Sequence, residues 1–122
     1  MLVADTIWSL VERRAAETPD RLMAVDEGGR RLRFAEYAAE AERVAAGFAA
    51  RGIGAGDVVS WQLPTWLESL VLAGALARLG VVQNPILPIY RERELGFCAR
   101  QTGARLLIVP GVFRGFEFAR MA

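Results

Sequence analysis

Leu76-Ala77-Arg78-Leu79-Gly80-Val81-Val82-Gln83-Asn84-Pro85 reads as the last turn of a helix, a glycine stop, a short strand and a proline. Glycine enters the left-handed conformation that ends a helix without steric penalty, so Gly80 marks the boundary. Upstream, Pro64 breaks a strand predicted over Val58 to Leu63. Thr65-Trp66-Leu67-Glu68 then has the form of a capping box. The helix it opens is apolar nearly all round, through Leu67, Leu70, Val71, Leu72, Leu76 and Leu79, and should be deeply buried. Downstream, Val81 to Asn84 is a strand, and Pro85 and Pro88 keep the next segment extended. Arg91 to Gln101 is a helix with Leu95 and Cys98 inward, closed by Gly103. Leu106 to Val109 is a continuous apolar run, the pattern of a strand covered on both faces. The order β-α-β-α-β with right-handed crossovers places the three strands in one parallel sheet.

Toward the N-terminus the pattern changes. Thr6 to Ala16 is a helix with Ile7, Leu10, Val11 and Ala15 on one face, capped by Asp5 or Thr6 and stopped by Thr18-Pro19-Asp20. Leu22 to Val25 and Leu32 to Phe34 form a hairpin around Glu27-Gly28-Gly29-Arg30. Glu36 to Arg51 is a helix striped by Tyr37, Ala41, Val44 and Phe48, with Gly52 as its left-handed cap. The tail, Gly111 to Ala122, carries Phe113, Phe116 and Phe118 with no evident partner and no further strand. An apolar tail of this kind predicts a chain cut from something longer.

Composition narrows the chemistry. The chain has 122 residues, one cysteine, a net charge of +1 and no histidine, and all 15 basic residues are arginine. Arginine stays protonated, so it is no general base and forms no Schiff base. A lysine-dependent phosphate loop is excluded, and with no histidine and no clustered carboxylates a metal site is not expected. Interspersed charge argues against a nucleic-acid partner. The apolar stretch Leu70 to Val82 carries Arg78 and is shorter than the ~20 residues of a membrane span. The N-terminus lacks the order of a signal peptide, so the expected protein is soluble and cytoplasmic.

Leu32-Arg33-Phe34-Ala35-Glu36-Tyr37 is similar to the first core motif of the adenylate-forming superfamily, usually Leu-Thr/Ser-Tyr-x-Glu-Leu. Residues 76–85 resemble its second motif. Arg51-Gly52-Ile53-Gly54-Ala55-Gly56-Asp57-Val58-Val59 resembles its Gly-rich turn into a strand. The segment from Asn84 to Leu95 looks like the acyl- and aryl-CoA ligase branch. Arg33 stands where the family has a small hydroxyl residue, and Phe34 and Tyr37 replace Tyr and Leu.

The resemblance implies an α/β fold in which residues 1–122 are the N-terminal part of the large AMP-binding domain of an AMP-forming acyl-CoA ligase, and the arginine- and alanine-rich, lysine-free composition points to a GC-rich bacterial genome. The phosphate loop with its lysine, the magnesium and ribose contacts and the C-terminal catalytic domain would lie outside it. Such enzymes use ATP, magnesium and coenzyme A to convert a carboxylic acid to an acyl-adenylate and then a thioester. The implied partner of this chain is the remainder of the ligase polypeptide. The chain alone is expected to bind no cofactor, to hold no catalytic residue and to be inactive.

Ser60, Gln62, Gln83 and Asn84 fall at strand ends, where ligands of open α/β sheets bind. They are read here as hydrogen-bonding the loops that follow. The Gly-rich run 52–56 precedes a strand instead of following one, so it is not read as a phosphate loop. Trp8, Trp61 and Trp66 read as packing residues, and Tyr90 and Arg91 as fixing a helix entry. Arg114, after the third parallel strand, reads on its own as a surface arginine. The resemblance implies a contact with the 3′-phosphate of coenzyme A. The alternative is a free-standing, non-catalytic α/β interaction module. A ligase piece should expose an apolar face and form homodimers or aggregate through it, whereas a free-standing module should be monodisperse and polar outside.

Overall fold

The computed structural model describes residues 5–122. In chain order the elements are α1 (Ile7–Glu17), β1 (Leu22–Val25), β2 (Arg31–Arg33), α2 (Phe34–Ala50), β3 (Val58–Trp61), α3 (Leu67–Leu79), β4 (Val82–Pro85), α4 (Glu92–Thr102), β5 (Leu106–Ile108), β6 (Val112–Phe113), β7 (Phe116–Glu117) and α5 (Phe118–Met121). The parallel sheet has the order β4-β3-β5, with β1-β2 and β6-β7 as separate antiparallel pairs.

Local chemistry sets most boundaries. Thr6 caps α1, its hydroxyl oxygen accepting the Ser9 N–H at 3.0 Å. The exit of α2 is a Schellman motif: Gly52 sits at φ 83°, its N–H donates to Ala49 O, and the Ile53 N–H donates to Phe48 O. Gly80 and Gly103 close α3 and α4 in the same left-handed region. At the hairpin turn, Gly29 takes φ 86° while the Asp26 carboxylate accepts the Arg30 N–H at 2.7 Å.

Several expectations are corrected. The buried face of α1 centres on Trp8, while Ile7 is 72% exposed and Leu10 is also exposed. Trp8 has far more apolar surface to bury, and that decides the rotation of the helix. Phe34 begins α2 instead of ending β2. The Glu36 carboxylate reaches back to the Arg33 N–H at 3.0 Å, which starts the helix two residues early. Thr65 is not the cap of α3: Trp66 takes that position, with no side-chain cap bond. The Trp66 N–H and the Ser69 hydroxyl both donate to Pro64 O, forming a tight turn that displaces Thr65. β5 is an edge strand, half-buried throughout, and Cys98 is only half-buried. The tail is structured, with Phe118 only 1% exposed.

The core lies between the sheet and helices α2 and α3. Ile53, Val59, Leu72, Leu76 and Val81 form its centre, flanked by Phe48, Trp61, Leu63, Leu79, Leu106 and Ile108. The α2–α3 contact is close because Gly74 lies under the Tyr37 ring, whose hydroxyl donates to Leu70 O at 2.8 Å. The outer edge of β4 is blunted. Val82 and Ile86 donate inward to Asp57 O and Trp61 O, so Gln83 and Pro85 hold the outward positions, and Pro85 has no N–H. No described strand pairs with the outer edge of β5.

Candidate functional site

The carboxyl edge of the parallel sheet is where an open α/β fold would hold a ligand. Here it is occupied by the chain itself. Ser60 and Gln62, at the end of β3, are fully buried. The Gln62 amide nitrogen donates to both Leu87 O and Tyr90 O at 2.9 Å, pinning the turn between β4 and α4. Asn84 donates to the Ser60 hydroxyl oxygen at 2.9 Å. Gln83 donates to Ala73 O and accepts from the Trp61 indole. Of the four residues expected to bond loops, Gln62 does so, whereas Ser60 and Asn84 bond each other across neighbouring strands and Gln83 bonds α3 and Trp61. The Gln62 Oε1 is buried without a hydrogen-bond partner.

Beyond that edge, Arg91 does more than fix a helix entry. Its Nη1 donates to Pro88 O at 2.6 Å, while its guanidinium lies 3.9 Å from the Phe116 ring centroid and 5.3 Å from that of Phe118. These rings meet edge to face at 4.9 Å. Phe113 makes a similar contact with Trp66 at 5.7 Å. Arg114 and Gly115, both at positive φ (50° and 76°), form the two-residue loop of the β6–β7 hairpin. Arg114 is exposed at that tip, its guanidinium 5.2 Å from the Phe113 ring centroid.

Some of the charged groups form ion pairs away from that edge. Arg30 bonds Asp26 and Glu68, tying the hairpin turn to the start of α3. The Arg30 guanidinium holds both carboxyls below the usual carboxylate range. Asp57 is lowered chiefly by the Gly54 N–H and then by Arg105, whose Nη1 lies at 2.9 Å. Burial pushes the Tyr37 phenol up. No group of three His, Cys, Asp or Glu side chains that could hold a metal occurs among the described residues.

This donor set does not fit a magnesium triphosphate. The edge offers neutral amides whose N–H groups are already bonded within the chain, with no lysine and no carboxylate pair. No adenylation step is therefore derived from these residues. Apolar side chains stand exposed nearby: Leu87, Ile89, Tyr90 and Phe97. Tyr90 and Phe97 share a shallow groove with Arg93, Glu94, Cys98 and Arg100. No helix among the described residues is long and apolar enough to cross a membrane.

A helix and hairpin lead into a parallel sheet whose carboxyl edge is bonded to the chain's own loop, which together define this α/β unit. The chain belongs to the AMP-binding enzyme family, whose model matches residues 11–120. It is 38% identical over 122 aligned positions to salicyl-AMP ligase / salicyl-S-ArCP synthetase of Mycobacterium tuberculosis, covering 97% of this chain and 21% of that protein. It is 31% identical to the medium-chain fatty-acid–CoA ligase of Escherichia coli, covering 84% of this chain and 18% of that one. The N-terminal subdomain of Klebsiella oxytoca NpsA, solved with 3-hydroxybenzoyl-AMSN, shares the fold: TM-score 0.84 at 24% identity, over 93% of this chain and 29% of the other. The chain thus spans about a fifth of the length of these curated relatives.

Proposed function

We propose that the chain is the opening, scaffold part of the large domain of a carboxylate–CoA ligase. In such a ligase, a carboxylate oxygen attacks the α-phosphorus of magnesium-bound ATP and pyrophosphate leaves. The thiol of coenzyme A then attacks the acyl carbon and AMP leaves. The observation carrying this reading is the family match along residues 11–120 of a chain one fifth as long as its relatives.

In this reading the chain contributes a rigid sheet and no catalytic group. Gln62 and Arg91 hold the loops in place, and the exposed Leu87, Ile89 and Phe97 pack against the remainder of the polypeptide. Arg114 is assigned to the 3′-phosphate of coenzyme A, which its exposed guanidinium suits in charge. The setting is the cytoplasm, where ATP and coenzyme A are at hand.

ATP–pyrophosphate exchange against a panel of aryl and acyl carboxylates tests the proposal. The pure chain should show no exchange. The same chain joined to a phosphate-loop segment and a C-terminal domain should show it with at least one acid. Exchange by the chain alone would overturn the scaffold reading. No exchange by the joined polypeptide with any acid would overturn the ligase reading in favour of an interaction module.

A further inference from the structure

Residues 111–122 are attached in an unusual way. The β6 and β7 strands pair only with each other, and the Phe118 N–H donates to Gly111 O at 2.9 Å, inside the same segment. The Arg120–Glu117 ion pair is internal as well. Among the described residues, no backbone hydrogen bond and no ion pair joins this segment to the rest of the chain. Side-chain contacts take their place: Arg91 lies over Phe116 and Phe118, and Trp66 meets Phe113, with Phe118 buried. Pro110-Gly111 leads into the segment.

A segment poor in external bonds opens at lower free energy than the sheet, and once released its two-residue strands are too short to keep their own hydrogen bonds, so opening frees the Phe118 N–H. We propose that residues 111–122 form such a segment, hinged at Pro110-Gly111 and latched by Arg91. Arg91 thereby acts as a positioning residue that sets where the hairpin tip presents Arg114. Arg91 suits a latch because the guanidinium that lies over the rings is itself tethered: its Nη1 donates to Pro88 O, in the turn that Gln62 pins to β3. The hairpin loop suits rigid transmission, because both of its residues are already in the left-handed region its twist requires. The last step, to Arg114, rests on the coenzyme A reading above. The latch itself does not.

Amide hydrogen exchange on the 122-residue chain tests the latch. Replacing Arg91 with Ala should accelerate exchange at Phe118 roughly two- to thirty-fold, the range of a cation–π contact from exposed to desolvated. Exchange at Val59 in β3 should be unchanged. Phe116→Leu, which leaves the Arg91–Pro88 bond intact, should give the same pattern, and Arg91→Lys should restore part of the protection. Unchanged exchange at Phe118 in both variants, or equal acceleration at Val59, would overturn the latch. In the joined polypeptide, Arg91→Ala should raise KM for coenzyme A, leave KM for its 3′-dephospho form, and leave pyrophosphate exchange alone. If the exchange pattern holds while the two thiols respond alike, the latch stands and the assignment of Arg114 to the phosphate fails.

Discussion

Replacing Gly74 with alanine isolates the close approach of α2 and α3. A Cβ at Gly74 would fall against the Tyr37 hydroxyl oxygen, lie 2.9 Å from Tyr37 Cζ and 3.4 Å from Ala41 Cβ. Ala41 is 0% exposed and Tyr37 only 6%, so neither has room to withdraw without moving a helix. Overpacking of this kind costs about 1–3 kcal/mol. Displacing the phenol also breaks its bond to Leu70 O, worth about 1 kcal/mol. Alanine's preference for a helix interior returns about 1 kcal/mol. The net expectation is a loss of about 2 kcal/mol, a Tm drop of roughly 6–12 °C for a chain of this size. Urea unfolding followed by tryptophan fluorescence reads the loss directly. Repeating the substitution in a Tyr37→Phe background removes the nearest atom, and the penalty should shrink by about 1 kcal/mol. If Gly74→Ala is neutral or stabilising, or costs the same in both backgrounds, the steric account of this interface is wrong.

Two further substitutions probe the sealed edge and the charge network. Gln62→Glu places a carboxylate against the carbonyls of Leu87 and Tyr90, and should destabilise the chain by about 3 kcal/mol or more at neutral pH. Part of the loss should return in acid, where the carboxyl protonates and donates again; a Tm penalty independent of pH would contradict this. Asp57 is held below the usual carboxylate range, so its contribution to stability is complete above that range and disappears as pH falls through the lowered value. The Tm gap between the native chain and Asp57→Asn should therefore narrow on acidification, and a gap that widens would reverse the sign argued here.

How far each element was legible follows from how local its cause is. The run from Val58 to Pro85 was readable because a glycine cap, a proline and an all-apolar helix are each encoded within a few residues. Gly52 and Gly80 were legible for the same reason, since only the local backbone demands them. The face of α1 was not, because three aliphatic positions and one tryptophan compete, and the sequence does not rank their areas. Thr65 was misplaced as a cap because the preceding Pro64 carbonyl draws two donors into a turn. The tail was the largest omission. Its strands are two residues each, too short for any periodicity. Its attachment depends on Arg91, more than twenty positions upstream, and no spacing rule links an arginine at a helix entry to two later phenylalanines. At the candidate site, the position of Gln62, Gln83 and Asn84 at strand ends was legible, whereas their partners were not: Gln62 bonds the turn after β4, Gln83 bonds α3 and Asn84 bonds Ser60, pairings that only the folded chain creates.

Pro85 gives the sheet a direction of growth. With one flank denied a backbone donor and the other, beside β5, left open, a newly arriving strand has a preferred berth. A longer polypeptide that extends this sheet is favoured to do so from the β5 side, where no proline interrupts the outward donors. The same asymmetry bears on error: two copies meeting edge to edge pair most readily β5 to β5, because Pro85 leaves the β4 flank one donor short.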